Sequence, residues 1–587
     1  MLVVSAGIGI FFQLTSKKKT YVDYLLAGKD MLIFPVAFSL FATFMSATTL
    51  MGIPAEMYLY GTNMAFLNIG FTIGPIITSY VFLPVFFANN VSTVYEILFT
   101  SATLYAPALS LSAVSSLSVS MSVISVGVVC TFYCTLGGMK AVLWADVFQG
   151  VLMFVCLFAV IGQGCLLLGG IENVFGIAYD GGRLVFPKFS FNLNEQYTIV
   201  NIFAQGMIII MSNFGGDQMQ VQRLMTLRNV ERSRIATYLS TAMIVGFQLL
   251  CCLSGLVLYA YFRYCDPMTS SSKPIHSADQ MIPYFISNTL GHLPGILGLC
   301  ITGIFSASLS TVSSSINSLA SVASEDFIKP LFPKFNWGNF DRIFLCTLFF
   351  GVICIALSFV IGSLGHLVKM SVILIGNLSG PNLAVFLLAA CTTTFNEGGV
   401  ILGLLTSIAL ASYLSFIPGR KTDPFLPLHN VCPSFETVDH NTSYASPFSG
   451  FQNITNFTYL NTSSTPIHGL KVDEVHTFHI SYMWVSSLAL FTCLFVGYFG
   501  SIVITFFNGK SKDVSEIHLS PIRIRFSKRK LKNNDVKSQK EKEEVELQMA
   551  LTSSDTTTQE KYRFIYLKKF GRERSSKAIQ LYFIKTF

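Results

Sequence analysis

The chain has 587 residues, of which 52% are hydrophobic, 13% aromatic and 12% charged, with a formal net charge of +8 and a mean hydropathy of +0.57. Soluble globular chains carry about 25% charged residues, so this composition excludes a soluble domain and describes a chain that crosses a membrane many times. The lipid bilayer is the implied partner; nucleic acid is not.

Apolar stretches of about 17 to 25 residues recur along the chain, each long enough to cross roughly 30 Å of hydrocarbon as a helix. About thirteen spans are expected, near 1–14, 32–53, 63–88, 97–114, 117–136, 143–169, 197–216, 235–262, 281–324, 342–362, 367–391, 398–417 and 479–507. The first begins at the initiator Met without a basic region, and no small-residue cleavage site follows it, so it reads as a short membrane helix rather than a signal peptide. The ninth is longer than one span needs, which predicts a separate extracellular half-helix in its first part.

The second span, LFATFMSATTLMGIPAE, sets Ala42, Thr43, Ser46, Ala47, Thr48 and Thr49 in its middle and Gly52 and Pro54 near its end. A helix that breaks at mid-membrane exposes free carbonyls that can coordinate a cation, while the N-terminus of the following half faces anionic groups. In the ninth span, FSASLSTVSSSINSLASV covers residues 305–322. Small residues let membrane helices approach closely, and packing alone explains much of this composition. Ala307, Ser310 and Thr311 nevertheless share one helix face, where a carbonyl and two hydroxyls offer the neutral oxygens that suit weakly held Na⁺. Packing and ion binding both remain open at this point.

Orientation follows from charge. The connections after spans one, five, seven and nine hold Lys17, Lys18, Lys19 and Lys29, then Lys140, then Arg223, Arg228, Arg232 and Arg234, then Lys329, Lys334 and Arg342, which makes that side cytoplasmic. Glycosylation sequons at Asn441, Asn453, Asn456 and Asn461 place the loop 418–478 outside. The N-terminus is then outside, and the charged tail 508–587, with SPIRIRFSKRKLKNN at its start, is a cytoplasmic, largely disordered segment whose partners are not legible. Most of the thirteen cysteines fall in apolar helices, as small core residues. Cys265 and Cys432 both fall in expected extracellular connections, where an oxidising compartment permits a disulfide.

Several stretches together carry a resemblance: DYLLAGKDM (23–31), SLFATFMSATTLMGIPAEMYLYG (39–61), LYAPALSL (104–111), VVCTFYCTLGGMKAVLWADVFQ (128–149), DQMQVQR (217–223), YCDPMTS with SADQMIPYF (264–285), and FSASLSTVSSSINSLASVASEDFIKP (305–330). On these the chain resembles the sodium/solute symporter family, and within it the sodium-coupled monocarboxylate, iodide and multivitamin transporters. The resemblance implies an all-α polytopic domain over 1–507 with LeuT-type inverted five-helix repeats, approximately 32–169 and 197–391. It implies a Na⁺ site at the backbone carbonyls of Ala42, Met45 and Ala307 and the hydroxyls of Ser310 and Thr311. It also implies a substrate cavity bordered by Ser46, Thr49, Phe214, Asp217 and Gln218.

Asp146 and Gln149 match a gating element, although Ala145 stands where the family usually has Thr; Asp146 is read as an ion pair at the cytoplasmic end of the sixth span. MSATTLMG lacks the His of the sugar branch and looks most like the monocarboxylate branch. The implied activity is import of a small organic anion with co-transported Na⁺ across the plasma membrane, with no enzyme chemistry and no organic cofactor. Iodide and vitamin transport remain alternatives. One departure stands out: TVYEILFTSATLYAPALSL joins directly two elements that relatives hold further apart, leaving about 40 residues, 97–136, for two spans and a turn. A non-transporting sensor or inactive variant is therefore the opposing reading.

Enzymatic removal of N-linked glycans is expected to lower the apparent mass of the chain, and replacing Asn441, Asn453, Asn456 and Asn461 by Gln to abolish that shift. A shift that survives these replacements would place a glycan on Asn90 or Asn377 and overturn the assigned orientation.

Overall fold

The structure is a computed structural model and describes residues 1–15, 21–89, 118–270, 275, 277–293, 295–331, 339–362, 367–393, 396–416, 426–428, 480–508, 520 and 523. The expected fourth span, Asn90, the four outer sequons, Cys432 and the tail beyond 508, apart from residues 520 and 523, lie outside them. The chain divides into units 1–518 and 519–587, and the membrane helices belong to the first.

The principal helices are α1 (Leu2–Thr15), α2 (Ile33–Phe44), α3 (Ala47–Tyr60), α4 (Leu67–Val81), α5 (Val119–Leu168), α6 (Ile199–Gly216), α7 (Gln218–Leu224), α8 (Val230–Tyr261), α9 (Met281–Leu290), α10 (Ile296–Val322), α11 (Asn339–Gly362), α12 (Leu367–Cys391), α13 (Glu397–Ser415) and α14 (Tyr482–Asn508). Among the described residues the only β pairing is one isolated bridge between Lys188 and Thr198. Among the described residues eight helices are long and apolar enough to cross a membrane, or nine when α2 and α3 count as one bent span. Helices satisfy the backbone groups of their interior within themselves, which hydrocarbon requires.

The second span breaks at its run of small polar residues and continues past its expected end at residue 53. α2 stops at Phe44, Met45 and Ser46 are extended, and α3 runs on to Tyr60 with its axis turned by 57°. The break lies upstream of Gly52 and Pro54, which both sit inside α3. The ninth span does divide, into α9 and α10, with Gly295 at φ 86° between them.

A straight helix of the length of α5 would measure about 75 Å, more than twice the hydrocarbon thickness. Gly138, at φ 56° and ψ −154°, resolves this. Before it, the thiols of Cys130 and Cys134 reach the carbonyls of Leu309 and Ser313 on α10; Met139, just past it, meets Asn317. Beyond it, Leu152 and Cys156 lie against Gly303. The numbering rises together before Gly138 and in opposition after it, so the chain doubles back there, giving the two spans expected near 117–136 and 143–169.

The connections gather on two faces. On one, Lys140 pairs with Asp23 at 2.9 Å, Gln222 donates to the Leu25 carbonyl, and the Tyr24 hydroxyl donates to the carbonyls of Cys134 and Thr135 and meets Thr347 of α11. On the other, the Thr62 amide donates to Arg183, Leu426 to Leu59, and Ser481 to Leu193. Because lipid is as apolar as leucine, close packing holds such helices together. A Cβ on Gly70 would fall 2.7 Å from the Met207 amide of α6, and one on Gly403 2.8 Å from Gly497 of α14.

Cys265 is disulfide-bonded, while Cys130, Cys134, Cys156, Cys251, Cys252, Cys300 and Cys493 are buried thiols. Asn377 is buried within α12, where its side-chain carbonyl accepts from Ser415.

Gly138→Ala would put a Cβ 2.8 Å from Tyr24 on a backbone that side chains avoid. A loss of about 1–3 kcal/mol is expected, read as a lower melting temperature of the purified protein. An unchanged melting temperature would count against the hairpin at Gly138.

Candidate functional site

The site begins at the end of α2. The last carbonyls of a helix have no following turn to donate to them, and they carry the negative end of its dipole. Phe41 O is satisfied by the Met45 amide. Ala42 O instead accepts from Ser310 Oγ at 2.7 Å, and Thr43 O from Thr311 Oγ1 at 3.3 Å. Both hydroxyls also lie near Ala307 O on their own helix, at 3.3 and 3.2 Å.

The oxygens of Ala42, Ala307, Ser310 and Thr311 therefore share one small volume, and Met45 stands at the break, three residues on from Ala42. Ala42, Met45, Ala307 and Ser310 are wholly buried and Thr311 almost so. All five oxygens are neutral, a donor set suited to a hard monovalent cation.

The serine-rich face of α10 serves two ends at once. From Gly303 to Val322 every residue is buried. Ser313 and Ser314 donate to Ser310 O, and Ser315 to Thr311 O, so these three hydroxyls find acceptors within their own helix.

A buried ion pair adjoins the oxygen cluster. Asp146 Oδ2 lies 3.2 Å from Arg223 Nη2, with side-chain exposures of 0% and 1%. Ser39 Oγ donates to the same carboxylate oxygen at 2.5 Å and accepts from Arg223 Nε at 2.6 Å. Arg223 also donates to Met219 O and to Ser314 Oγ, and the Ser314 hydroxyl lies 3.0 Å from that of Thr43. A continuous polar path thus runs from Asp146 through Arg223, Ser314 and Thr43 to the end of α2.

Arg223 corrects the charge-based reading, which counted it among the basic residues of a connection. It lies in α7 and is fully buried. Asp146 is paired as expected, but it sits well inside the second half of α5 rather than at a helix terminus. Gln149, one turn on, donates to Ser5 of α1 at 3.4 Å. A charge in an apolar span demands a partner, and that requirement was the available signal for Arg223.

The expected cavity residues form two groups with separate hydrogen bonds. Ser46 Oγ lies 2.5 Å from Thr48 Oγ1 and 3.4 Å from Thr49 Oγ1, at the start of α3. Asp217 caps α7 by accepting from the Met219 amide at 2.9 Å, and it also accepts from Asn213. Gln218 follows it and is buried, and Phe214 is closed off from solvent in the main core.

Two further clusters on the opposite face were not foreseen. Tyr197 donates to Glu56 at 2.8 Å and meets Tyr482, tying α3 to the starts of α6 and α14. Arg183, fully buried, stacks on Tyr259 and donates to the carbonyls of Leu426 and Pro427.

Known proteins bear on this geometry. The Sodium:solute symporter family matches residues 24–102 and 94–407. A Drosophila melanogaster protein whose name points to sodium-dependent multivitamin transport is 35% identical over 533 residues, covering 85% of this chain and 84% of that protein. Sodium-coupled monocarboxylate transporter 2 of Bos taurus is 33% identical over 560 residues, covering 89% and 85%. A solved Na⁺-coupled sialic acid symporter, substrate-bound and outward-open, covers 87% of this chain and 97% of its own at a TM-score of 0.66. At 18% identity that likeness is one of fold.

Removing one partner of a buried pair leaves an uncompensated charge. Arg223→Gln is expected to destabilise the purified protein by about 3–5 kcal/mol, and Asp146→Asn combined with it to recover part of the loss. Thermal melting of the two variants checks this, and a double variant no more stable than the single one would contradict it.

Proposed function

Because the chain belongs to the sodium:solute symporter family, whose members are membrane transporters rather than enzymes, we propose that it couples Na⁺ entry to uptake of a small monocarboxylate across the plasma membrane. The convergence of the α2 carbonyls and the α10 hydroxyls carries this reading. Na⁺ is held by Ala42, Met45, Ala307, Ser310 and Thr311. Without the ion, the two hydroxyls donate to the α2 carbonyls. With it, their oxygens turn to the cation, and the break between α2 and α3 is pinned to α10.

The substrate carboxylate then meets the start of α3, beside Ser46 and Thr49. The first amides of a helix lack intrahelical acceptors and carry the positive end of its dipole, so an anion is stabilised there without an Arg or Lys. Asp217, Gln218 and Phe214 border the cavity in its open state. The Asp146–Arg223 pair, joined to the α2 end through Ser314 and Thr43, feels whether the ion site is filled and sets the balance between states; Gln149 steadies α1 against it. The N-terminus lies outside and the tail in the cytoplasm. Each Na⁺ that enters gains roughly 2.3 kcal/mol per 100 mV of membrane potential, which with its concentration gradient drives accumulation of the anion.

A vitamin substrate is the second reading, favoured by the Drosophila relative. Cells expressing the chain are expected to take up labelled lactate or nicotinate in Na⁺ but not when choline replaces it, with little uptake of iodide or biotin. Ser310→Ala with Thr311→Ala is expected to abolish the Na⁺ dependence while surface biotinylation is unchanged. Na⁺-dependent biotin uptake alone would select the vitamin reading. No uptake by surface-resident protein would select the non-transporting one, and a double variant with intact Na⁺ dependence would remove the ion site from these residues.

A further inference from the structure

The helix Ile171–Asp180 and the loop after it carry an apolar surface that the transport site does not use. At about 100° per residue, the helix has three sides. Val174 and Ala178 are buried, packed with Cys252, Leu256, Val257 and Ala260. The next side holds Ile171, Phe175 and Tyr179, exposed by 46%, 43% and 73%. The third holds Glu172, Asn173 and Asp180, all exposed. A helix with one flank on protein, one apolar and exposed, and one polar has the form of an element lying in the boundary between hydrocarbon and water. The loop adds Phe186, Phe189 and Phe191, exposed by 78%, 73% and 68%, with exposed Lys188 among them.

Two membrane spans fix the level of this surface. α5 ends at Leu168, and Gly169 and Gly170 turn the chain straight into the helix. The loop is tied to the first turn of α14, since the Ser481 amide donates to Leu193 O at 2.8 Å and the Trp484 indole to Asn192 O at 3.4 Å. Both spans are apolar and mostly unburied, and α5 carries exposed Phe158 and Leu166 in the turns that precede Ile171 and Phe175 in the chain. Aromatic side chains concentrate at this depth of a bilayer.

We propose that residues 171–191 form an interfacial anchor. The anchor seats Phe175, Tyr179, Phe186, Phe189 and Phe191 at the junction of acyl chains and headgroups, with Lys188 set to meet lipid phosphate. It also holds the transport machinery, because Thr62, just past the end of α3, donates its amide to Arg183 O and its hydroxyl to Val185 O at 2.9 and 2.7 Å.

The test places the photocrosslinker p-benzoylphenylalanine at position 175 or 189 of the full chain, with position 158 as the lipid-facing control and 173 as the water-facing one. Native membranes are irradiated, and adducts on the purified chain are read by mass spectrometry. Phospholipid adducts at 175 and 189 are expected to approach the yield at 158 and to exceed that at 173 several-fold. Yields no higher than at 173, with position 158 labelled, would overturn the proposal. So would a band of twice the mass, which marks a second copy on this surface, or internal cross-links to residues 429–479.

Discussion

An unpaired backbone carbonyl in hydrocarbon costs several kcal/mol, and the interruption at Met45–Ser46 creates such carbonyls in the middle of the membrane domain. Much of the surrounding structure answers that constraint. α10 must come close enough for Ser310 and Thr311 to reach α2, so its face is built of serine, alanine and threonine rather than larger side chains. Once there, the hydroxyls are committed only to hydrogen bonds that a cation can replace. The composition that allows tight packing and the composition that holds an ion are the same, because both need small side chains that bring oxygen with them.

The second constraint is a charge buried next to this junction. Asp146 and Arg223 neutralise each other, and Ser39 bonds to both. Their contacts reach the end of α2, the proposed ion site, through the hydroxyls of Ser314 and Thr43, which can donate in either direction at little cost. A pair so connected can respond to occupancy without any backbone group losing its partner. On the opposite face, the bonds of Thr62, Arg183 and Tyr197 hold the far end of α3.

Much of this was legible along the chain, because hydropathy and helical spacing are local properties. The apolar segments, the division of the ninth span and the shared face of Ala307, Ser310 and Thr311 all depend on neighbours within a few turns. The position of the helix break was not: Gly52 and Pro54 are the stronger local breakers, yet the helix tolerates both and opens at Met45, where α10 supplies donors. Arg223 was misplaced for a related reason. Charge counting assigns a basic residue to water, and only Asp146, distant in sequence, makes its burial tolerable.

That the chain is a helical membrane protein and which oxygens share a helix face were written in the order of its residues, since these follow from composition and a 3.6-residue period. Packing had to settle where the second span breaks, that α5 doubles back at Gly138, and that Asp146 meets Arg223. Each of these depends on partners far apart in the chain whose hydrogen bonds and charges are satisfied only once the helices are packed.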